Sequence, residues 1–254
     1  MMRVIATGKG GVGKTTLVST LCTLLARDGY KVLVFDTDPS MNLAMTLGIP
    51  FADIATLAED KVKIGTKIED HDIDIDVDSI IEEHSAVTTD NVRVVLMGTI
   101  PSGGAGCLCS SISLVKVLVE SFVLRPWEYD FIIVDSQAGP EILGRGLATR
   151  FECNLVVTEA MPKAMEVTRQ VINLSKDLDI RKTILVLNKY VGEADLNRVS
   201  SELRIGPQSI LTIRDDDAVR EADRLSIPIL SIEPCPEAVV DIMRIKEELL
   251  GKGS

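Results

Sequence analysis

Short apolar runs rich in Val, Ile and Leu alternate along the chain with longer stretches of helical length. The runs are Arg3–Thr7, Lys31–Phe35, Val92–Met97, Phe131–Val134, Asn154–Thr158, Thr183–Leu187, Gln208–Ile213 and Pro228–Ile232. They lack a clean apolar–polar alternation, so both faces of each strand are expected to be covered, as in a parallel sheet. Between most of them lie helical patterns, among them Lys14–Arg27, Ser110–Leu124, Lys163–Asp177 and Asp215–Leu225. This rhythm predicts an α/β fold with a mostly parallel central sheet of about eight strands and helices on both faces. Residues 1–254 read as a single domain, without repeats, low-complexity tracts or linkers.

One stretch breaks the rhythm. Residues 58–91 are long, polar and acidic, with Asp72, Asp74, Asp76 and Asp78 in alternation and Glu83 beyond. Those carboxylates resemble a calcium-loop spacing. Val77 stands where such a loop needs glycine for its turn, so the stretch is expected to be an exposed strand or loop with a solvated acidic face.

Composition narrows the function. Hydrophobic residues make up 46% of the 254 and charged residues 26%, a globular balance. Aromatics are only 4%, so the core is built from aliphatic side chains. The net charge of −11 argues against a general nucleic-acid coat but not against a site for one nucleotide. Five irregularly spaced cysteines make no disulfide framework. No secretory pattern opens the chain and no apolar run is long enough to span a membrane, so a reduced, cytoplasmic protein is expected.

Gly8-Lys9-Gly10-Gly11-Val12-Gly13-Lys14-Thr15 fits the phosphate-loop pattern G-x-x-x-x-G-K-[ST], placed between a buried strand and a helix. Its glycines allow backbone N–H groups to converge on phosphate oxygens. Lys14 is expected at the β- and γ-phosphates, Thr15 on Mg²⁺ and Thr16 at the α-phosphate.

The second lysine, Lys9, makes the loop resemble the deviant Walker A motif of the MinD/ParA/nitrogenase iron-protein superfamily. The resemblance implies an ATPase in which Lys9 reaches the partner's nucleotide across a dimer. Asp36-Thr37-Asp38-Pro39 resembles that superfamily's switch I. It implies that Asp38 positions the attacking water, with Asp36 near the Mg²⁺ shell. Ile132-Ile133-Val134-Asp135 is similar to a Walker B strand, which puts Asp135 on Mg²⁺ through water, with Gly139 as the switch II hinge. Asn188 ends a strand and can pair with adenine through its amide. The guanine signature Asn-Lys-x-Asp fails after Lys189, which favours ATP, and the segment around Arg214 is the candidate second wall of the base site.

Cys107-Leu108-Cys109 follows a glycine-rich stretch and precedes a predicted helix. Two thiols at a helix N-terminus favour thiolate and metal binding. A closed thiolate site needs four ligands, so the pair predicts a two-fold dimer in which each chain contributes Cys107 and Cys109 to Ni²⁺ or Zn²⁺. The segment 103–125 is thus the expected metal and dimer element. Two packed thiols without metal are the plain alternative.

Phosphate loop, acidic insertion, Gly-x-Gly-Cys-x-Cys and Asp135-Ser-Gln-Ala-Gly-Pro-Glu-Ile-Leu-Gly-Arg-Gly occur in that order. In that order the chain resembles the carbon monoxide dehydrogenase accessory ATPases. The resemblance implies an ATP-dependent homodimer that delivers nickel to the dehydrogenase or a related client enzyme. Gln137 and Ile142 depart from that family's switch II, where Glu and His are expected. An electron-transfer or cluster-carrying ATPase resembling the nitrogenase iron protein is the alternative. A MinD-like positioning ATPase fits less well. The segment 243–250 is charge-balanced rather than a basic membrane anchor, and no basic patch suits DNA.

Overall fold

The computed structural model describes residues 1–50, 54–60, 77–99, 109–125 and 128–252. They form an α/β domain around one eight-stranded sheet. The strands are β1 (Met2–Gly8), β2 (Val32–Asp36), β3 (Ser85–Val87), β4 (Val92–Leu96), β5 (Phe131–Asp135), β6 (Cys153–Thr158), β7 (Lys182–Tyr190) and β8 (Ile210–Arg214). Their spatial order is β3-β4-β2-β5-β1-β6-β7-β8. Every pairing is parallel except that of β3 with β4.

The helices among the described residues are α1 (Lys14–Arg27), α2 (Asn42–Thr46), α3 (Val77–Glu83), α4 (Cys109–Ser121), α5 (Glu141–Gly144), α6 (Pro162–Asp177), α7 (Glu193–Leu203), α8 (Asp217–Leu225) and α9 (Glu237–Leu249). They cover both faces of the sheet, and each face has its own core. On one, Val4, Ala6, Val32 and Val34 meet Leu17 and Leu21 of α1 and Ile242 and Ile245 of α9. On the other, Ile5, Leu33 and Phe35 meet Val115 of α4, Met165 of α6 and Val199 of α7. Successive strand residues point to opposite faces, so strands buried on both sides read as unbroken apolar runs. That is why they showed no alternation in the sequence.

Two expectations about the elements are corrected. Pro228–Ile232 is not a strand. It turns as a 3₁₀ segment at Ile229–Ser231, with Ile229 buried, because the N–H groups of Ser231 and Ile232 donate locally to the Pro228 (2.9 Å) and Ile229 (3.1 Å) carbonyls instead of to a neighbouring strand. The eighth strand is β3, inside the stretch expected to be a solvated strand or loop. There α3 buries Val77, Ile80 and Ile81, while Asp78 accepts a hydrogen bond from Arg125 at 2.6 Å. His84 is buried, its ring nitrogens 3.0 Å from the Ile80 carbonyl and 3.2 Å from Asp60. Asp72, Asp74 and Asp76 lie outside the described residues.

The charge-balanced segment at 243–250 belongs mostly to α9. Val239, Ile242, Ile245 and Leu249 recur at helical spacing and are buried. Each such aliphatic side chain stabilises the fold by about 1.5–3 kcal/mol. With α1 beside it, α9 is part of the core.

The topology sets the site. From β1 the chain crosses to β2 on one side and later to β6 on the other, and the loops at the carboxyl ends of the strands converge at this switch point. Ala6 and Asp36 both stand level with Asp135 across the sheet.

Candidate nucleotide-binding site

The loop between β1 and α1 is shaped by contacts that only glycine permits. At Gly8 (φ +146°) a Cβ would collide with the Val157 carbonyl, and at Gly13 (φ +92°) with the Asn188 amide. Gly13 caps α1 without a side-chain acceptor, and the first turn of α1 carries no acidic residue. The N-terminal N–H groups of a helix have no intrahelical partner and sit at its positive end. The segment Gly8–Thr16 therefore presents donors to an anion.

Lys14 is buried, and among the described residues its ammonium donates to the carbonyls of Gly8 (3.4 Å) and Lys9 (3.2 Å). Burial lowers its pKa, against the pull of the Asp135 and Asp38 charges, and Lys9 adds to the lowering. A cation held on carbonyls this way is poised to exchange them for phosphate oxygens. Lys9 is half-buried and turns back to the Gly10 carbonyl at 3.3 Å.

Thr15 Oγ1 donates to Asp135 Oδ2 at 2.7 Å. The other oxygen, Asp135 Oδ1, is buried and has no hydrogen-bond partner among the described residues. Burial raises the Asp135 pKa to about 6, opposed by the Thr15 hydrogen bond and the Lys14 charge. A hydroxyl and an orphaned buried carboxylate oxygen together form a hard-oxygen set that suits Mg²⁺, partly through water.

Asp36 is fully buried. Its oxygens accept the backbone N–H groups of Asp38 (2.9 Å) and Leu43 (3.1 Å), which fixes the turn into α2. Burial and then the Asp135 charge push its pKa well up. Asp38 is half-exposed, and its Oδ1 accepts from the Ser40 N–H at 2.9 Å and the Ser40 hydroxyl at 2.5 Å. Gly139 (φ +95°) donates its N–H to the Gly8 carbonyl at 3.1 Å, tying the loop after β5 to the phosphate loop. Ile142 is fully buried in the second core, so an apolar residue there packs rather than reaching the cleft.

Two clefts meet at this loop. One, of about 470 Å³, is lined by Gly10, Lys14, Thr15, Asp38 and Asn42. The other, of about 330 Å³, is lined by Asn188, Ile213, Asp216, Val219 and Ile242. Gly11, Gly13, Thr16 and Asp223 border both. A polar cleft continuing into a partly apolar one matches the shape of a nucleotide, with phosphates in the first and base in the second.

The base side differs from expectation in two respects: Asn188 lines the second cleft but its Nδ2 donates to the Val12 carbonyl at 2.8 Å, and Arg214 is held by protein carboxylates. Arg214 lines the second cleft, but its guanidinium is held by Asp241 at 2.8 and 3.0 Å and by Glu237 at 2.5 Å. The Asp241 carboxylate is 2% exposed and also accepts the Arg214 N–H at 3.0 Å. Asp216 accepts the N–H groups of Ala218 (2.9 Å) and Ala238 (3.0 Å), so one carboxylate caps both α8 and α9. Neither aspartate stood out in the sequence. The readable signal was their position just before or within a helix after a strand, which is common to most helix caps.

Cys107 and the side chain of Cys109 lie outside the described residues. Cys22 and Cys153 are buried in the core, and Cys235 is exposed. Among the described residues no three His, Cys, Asp or Glu side chains gather as a metal cluster, and no helix is long and apolar enough to cross a membrane.

Known proteins share this architecture end to end. The chain is 28% identical to the carbon monoxide dehydrogenase accessory protein CooC of Rhodospirillum rubrum, covering 98% of each. It is 26% identical to an iron-sulfur cluster carrier protein of Pyrococcus furiosus, covering 98% of this chain and 85% of that one. The septum site-determining protein MinD of Pyrococcus horikoshii, solved with Mg-ADP, superposes with a TM-score of 0.75 at 24% identity, covering 100% and 99%. Residues 3–229 match the CobQ/CobB/MinD/ParA nucleotide binding domain, and the chain belongs to that family.

Proposed function

We propose that the protein is an ATP-dependent metal-delivery ATPase. It hydrolyses ATP to ADP and phosphate and helps insert nickel into carbon monoxide dehydrogenase or a related nickel enzyme. The observation that carries this reading is the end-to-end likeness to the CooC accessory protein. The Cys107-Leu108-Cys109 pair, which phosphate chemistry does not need, supports it. The cytoplasm, where thiols stay reduced, is its compartment.

In this reading the N–H groups of Gly8–Thr16 hold the phosphate chain. Lys14 places its charge at the β- and γ-phosphates, and the Thr16 hydroxyl serves the α-phosphate. Mg²⁺, when bound, neutralises phosphate charge, held by Thr15 and, through water, by Asp135. Asp36 fixes the turn that carries Asp38, and Asp38 orients the attacking water. Lys9 reaches the partner's nucleotide in a homodimer and adds positive charge where the transition state spreads negative charge. Asn188 and the backbone around Arg214 hold adenine. Cys107 and Cys109 of two chains together carry Ni²⁺ or Zn²⁺ as cargo.

A second reading, an iron-sulfur cluster carrier, is favoured by the likeness to the Pyrococcus furiosus protein. Metal analysis of protein purified without oxygen, with and without ATP, separates the two. Nickel or zinc at one ion per two chains, and activation of a nickel-free client, support delivery. Iron and sulfide in equal amounts, with a brown colour, support the carrier. Metal-free protein that leaves the client inactive sinks both.

A further inference from the structure

The carboxyl end of β7 holds the phosphate loop in a way the family assignment does not explain. Asn188 Nδ2 donates to the Val12 carbonyl at 2.8 Å, and the next residue, Lys189, donates from Nζ to the Gly11 carbonyl at 3.0 Å. Two consecutive side chains thus grip two consecutive carbonyls. In a regular strand, neighbouring side chains point to opposite faces and could not do this. Here the pairing of β7 with β8 shifts register between Leu187 and Tyr190, and Lys189 adopts φ +54°. A break of this kind re-aims a side chain. A left-handed backbone at a residue with a side chain is strained, and it persists only when its surroundings hold it.

We propose that Lys189 is a positioning residue of the nucleotide site, which sets the direction of the Val12 N–H by holding the Gly11 carbonyl. The peptide group is planar and trans, so a carbonyl and the N–H that follows it point in opposite directions. Holding the Gly11 carbonyl toward β7 turns the Val12 N–H away from it. Holding the Val12 carbonyl does the same to the Gly13 N–H. Among the described residues neither N–H donates to another backbone carbonyl, so both are left free for an anion; Gly13 lines both clefts. Glycine at 11 (φ +81°) leaves this peptide free to flip without such a hold. Lys189 is itself anchored by Glu159 at the end of β6, 2.6 Å away, and that buried Glu159 oxygen has no hydrogen-bond partner besides this ion pair.

The inference rests on the nucleotide-binding part of the proposed function, and its test separates the two. Lys189→Met keeps the stem and removes the donor. The full-length variant is compared with wild type by ADP and ATP titration, thermal melting and amide NMR of the ligand-free protein. We expect ADP and ATP to bind about tenfold more weakly and by the same factor. The melting temperature should stay unchanged, and the Val12 amide resonance should move. Wild-type ADP affinity in the variant, or an unmoved Val12 amide, overturns the positioning role. Failure of the wild-type protein itself to bind ADP or ATP overturns the nucleotide reading, while the amide comparison still tests the hold on the loop.

Discussion

Thr15 and Asp135 join the first turn of α1 to the end of β5 through a 2.7 Å hydrogen bond. The bond uses one carboxylate oxygen and leaves the other buried and unpartnered. Its consequence is electrostatic. Asp135 carries its charge in a dry place, and burial raises its pKa from 3.8 to about 6.

A pH dependence follows from that shift. Between these two values the folded chain holds a proton on Asp135 that the unfolded chain has released. Stability of the nucleotide-free protein therefore falls as pH rises through this window, by on the order of 2–3 kcal/mol from this group. Asp135→Asn should flatten that part of the curve and be more stable than wild type at pH 8. Binding of Mg²⁺ and nucleotide should run the other way, weakening below pH 6 as protons compete. Urea unfolding from pH 4 to 8 checks this; parallel curves for the two proteins would contradict it.

Lys14→Ala should remove nucleotide binding. The ammonium is buried against two carbonyls, so phosphate is the ligand that best repays its desolvation. Loss of at least a hundredfold in ATP affinity is expected, with a circular dichroism spectrum like that of wild type. Retained affinity would remove the phosphate site from this loop.

Asp38 and Lys9 should act on the chemical step. A group that orients water matters chiefly in the transition state. Asp38→Ala is expected to keep ATP and slow its hydrolysis about a hundredfold or more. Lys9→Ala should reduce both hydrolysis and ATP-dependent dimerisation. Single-turnover hydrolysis with sedimentation measures both, and normal hydrolysis by a dimer of the Lys9 variant would end the cross-subunit role.

Asp241→Ala should damage the base side of the cleft more than the phosphate side. It strips Arg214 of its hydrogen bonds to that carboxylate and leaves a partly buried guanidinium less well paired. The Arg214 side chain is 37% exposed, so water and the remaining contact with Glu237 take up much of what the guanidinium loses, and the damage falls on the shape of the cleft more than on overall stability. Affinity for ATP should fall while affinity for inorganic tripolyphosphate is kept. Equal losses for the two ligands would mean that the fold as a whole has loosened.

Cys107 and Cys109 should bind one metal ion per two chains and promote dimerisation. Nickel should give thiolate charge-transfer absorption, zinc should compete, and binding should weaken as pH falls because protons compete for sulfur. Replacing either cysteine by alanine should abolish tight metal binding and client activation while ATP binding by the monomer stays nearly intact. One nickel per monomer that survives the double replacement would move the site elsewhere, with the acidic segment at 72–78 as the rival.

The local signals of this protein were strong where one stretch of chain builds one feature. Gly8 to Thr15 specifies a phosphate loop because its glycines, lysine and threonine act within a single turn. The apolar runs of β1, β2, β5 and β6 specify buried parallel strands because both of their faces are covered. Lys14–Arg27 matches α1 residue for residue. The same local reading failed at Pro228–Ile232, where local turn hydrogen bonds took the N–H groups of an apolar run. It also failed at α3, where Val77, Ile80 and Ile81 fold inward from an acidic stretch, while β3 just beyond is a partly exposed strand of the kind that reading allowed.

What the chain could not announce locally depends on partners distant in sequence. The segment around Arg214 reads as a wall of the base site, yet Asp241 in α9, distant in sequence, takes its guanidinium. Asp216 did not stand out in the sequence, yet it serves two helices because its carboxylate accepts N–H groups from the starts of both α8 and α9. Lys189 reads as a surface lysine after a strand. It becomes a support for the phosphate loop because β7 loses its register and turns consecutive side chains the same way. Short-range pattern reports the chemistry a residue carries. Which groups that chemistry meets is decided by the sheet order, which brings the ends of β1, β5, β7 and β8 to one edge of the molecule.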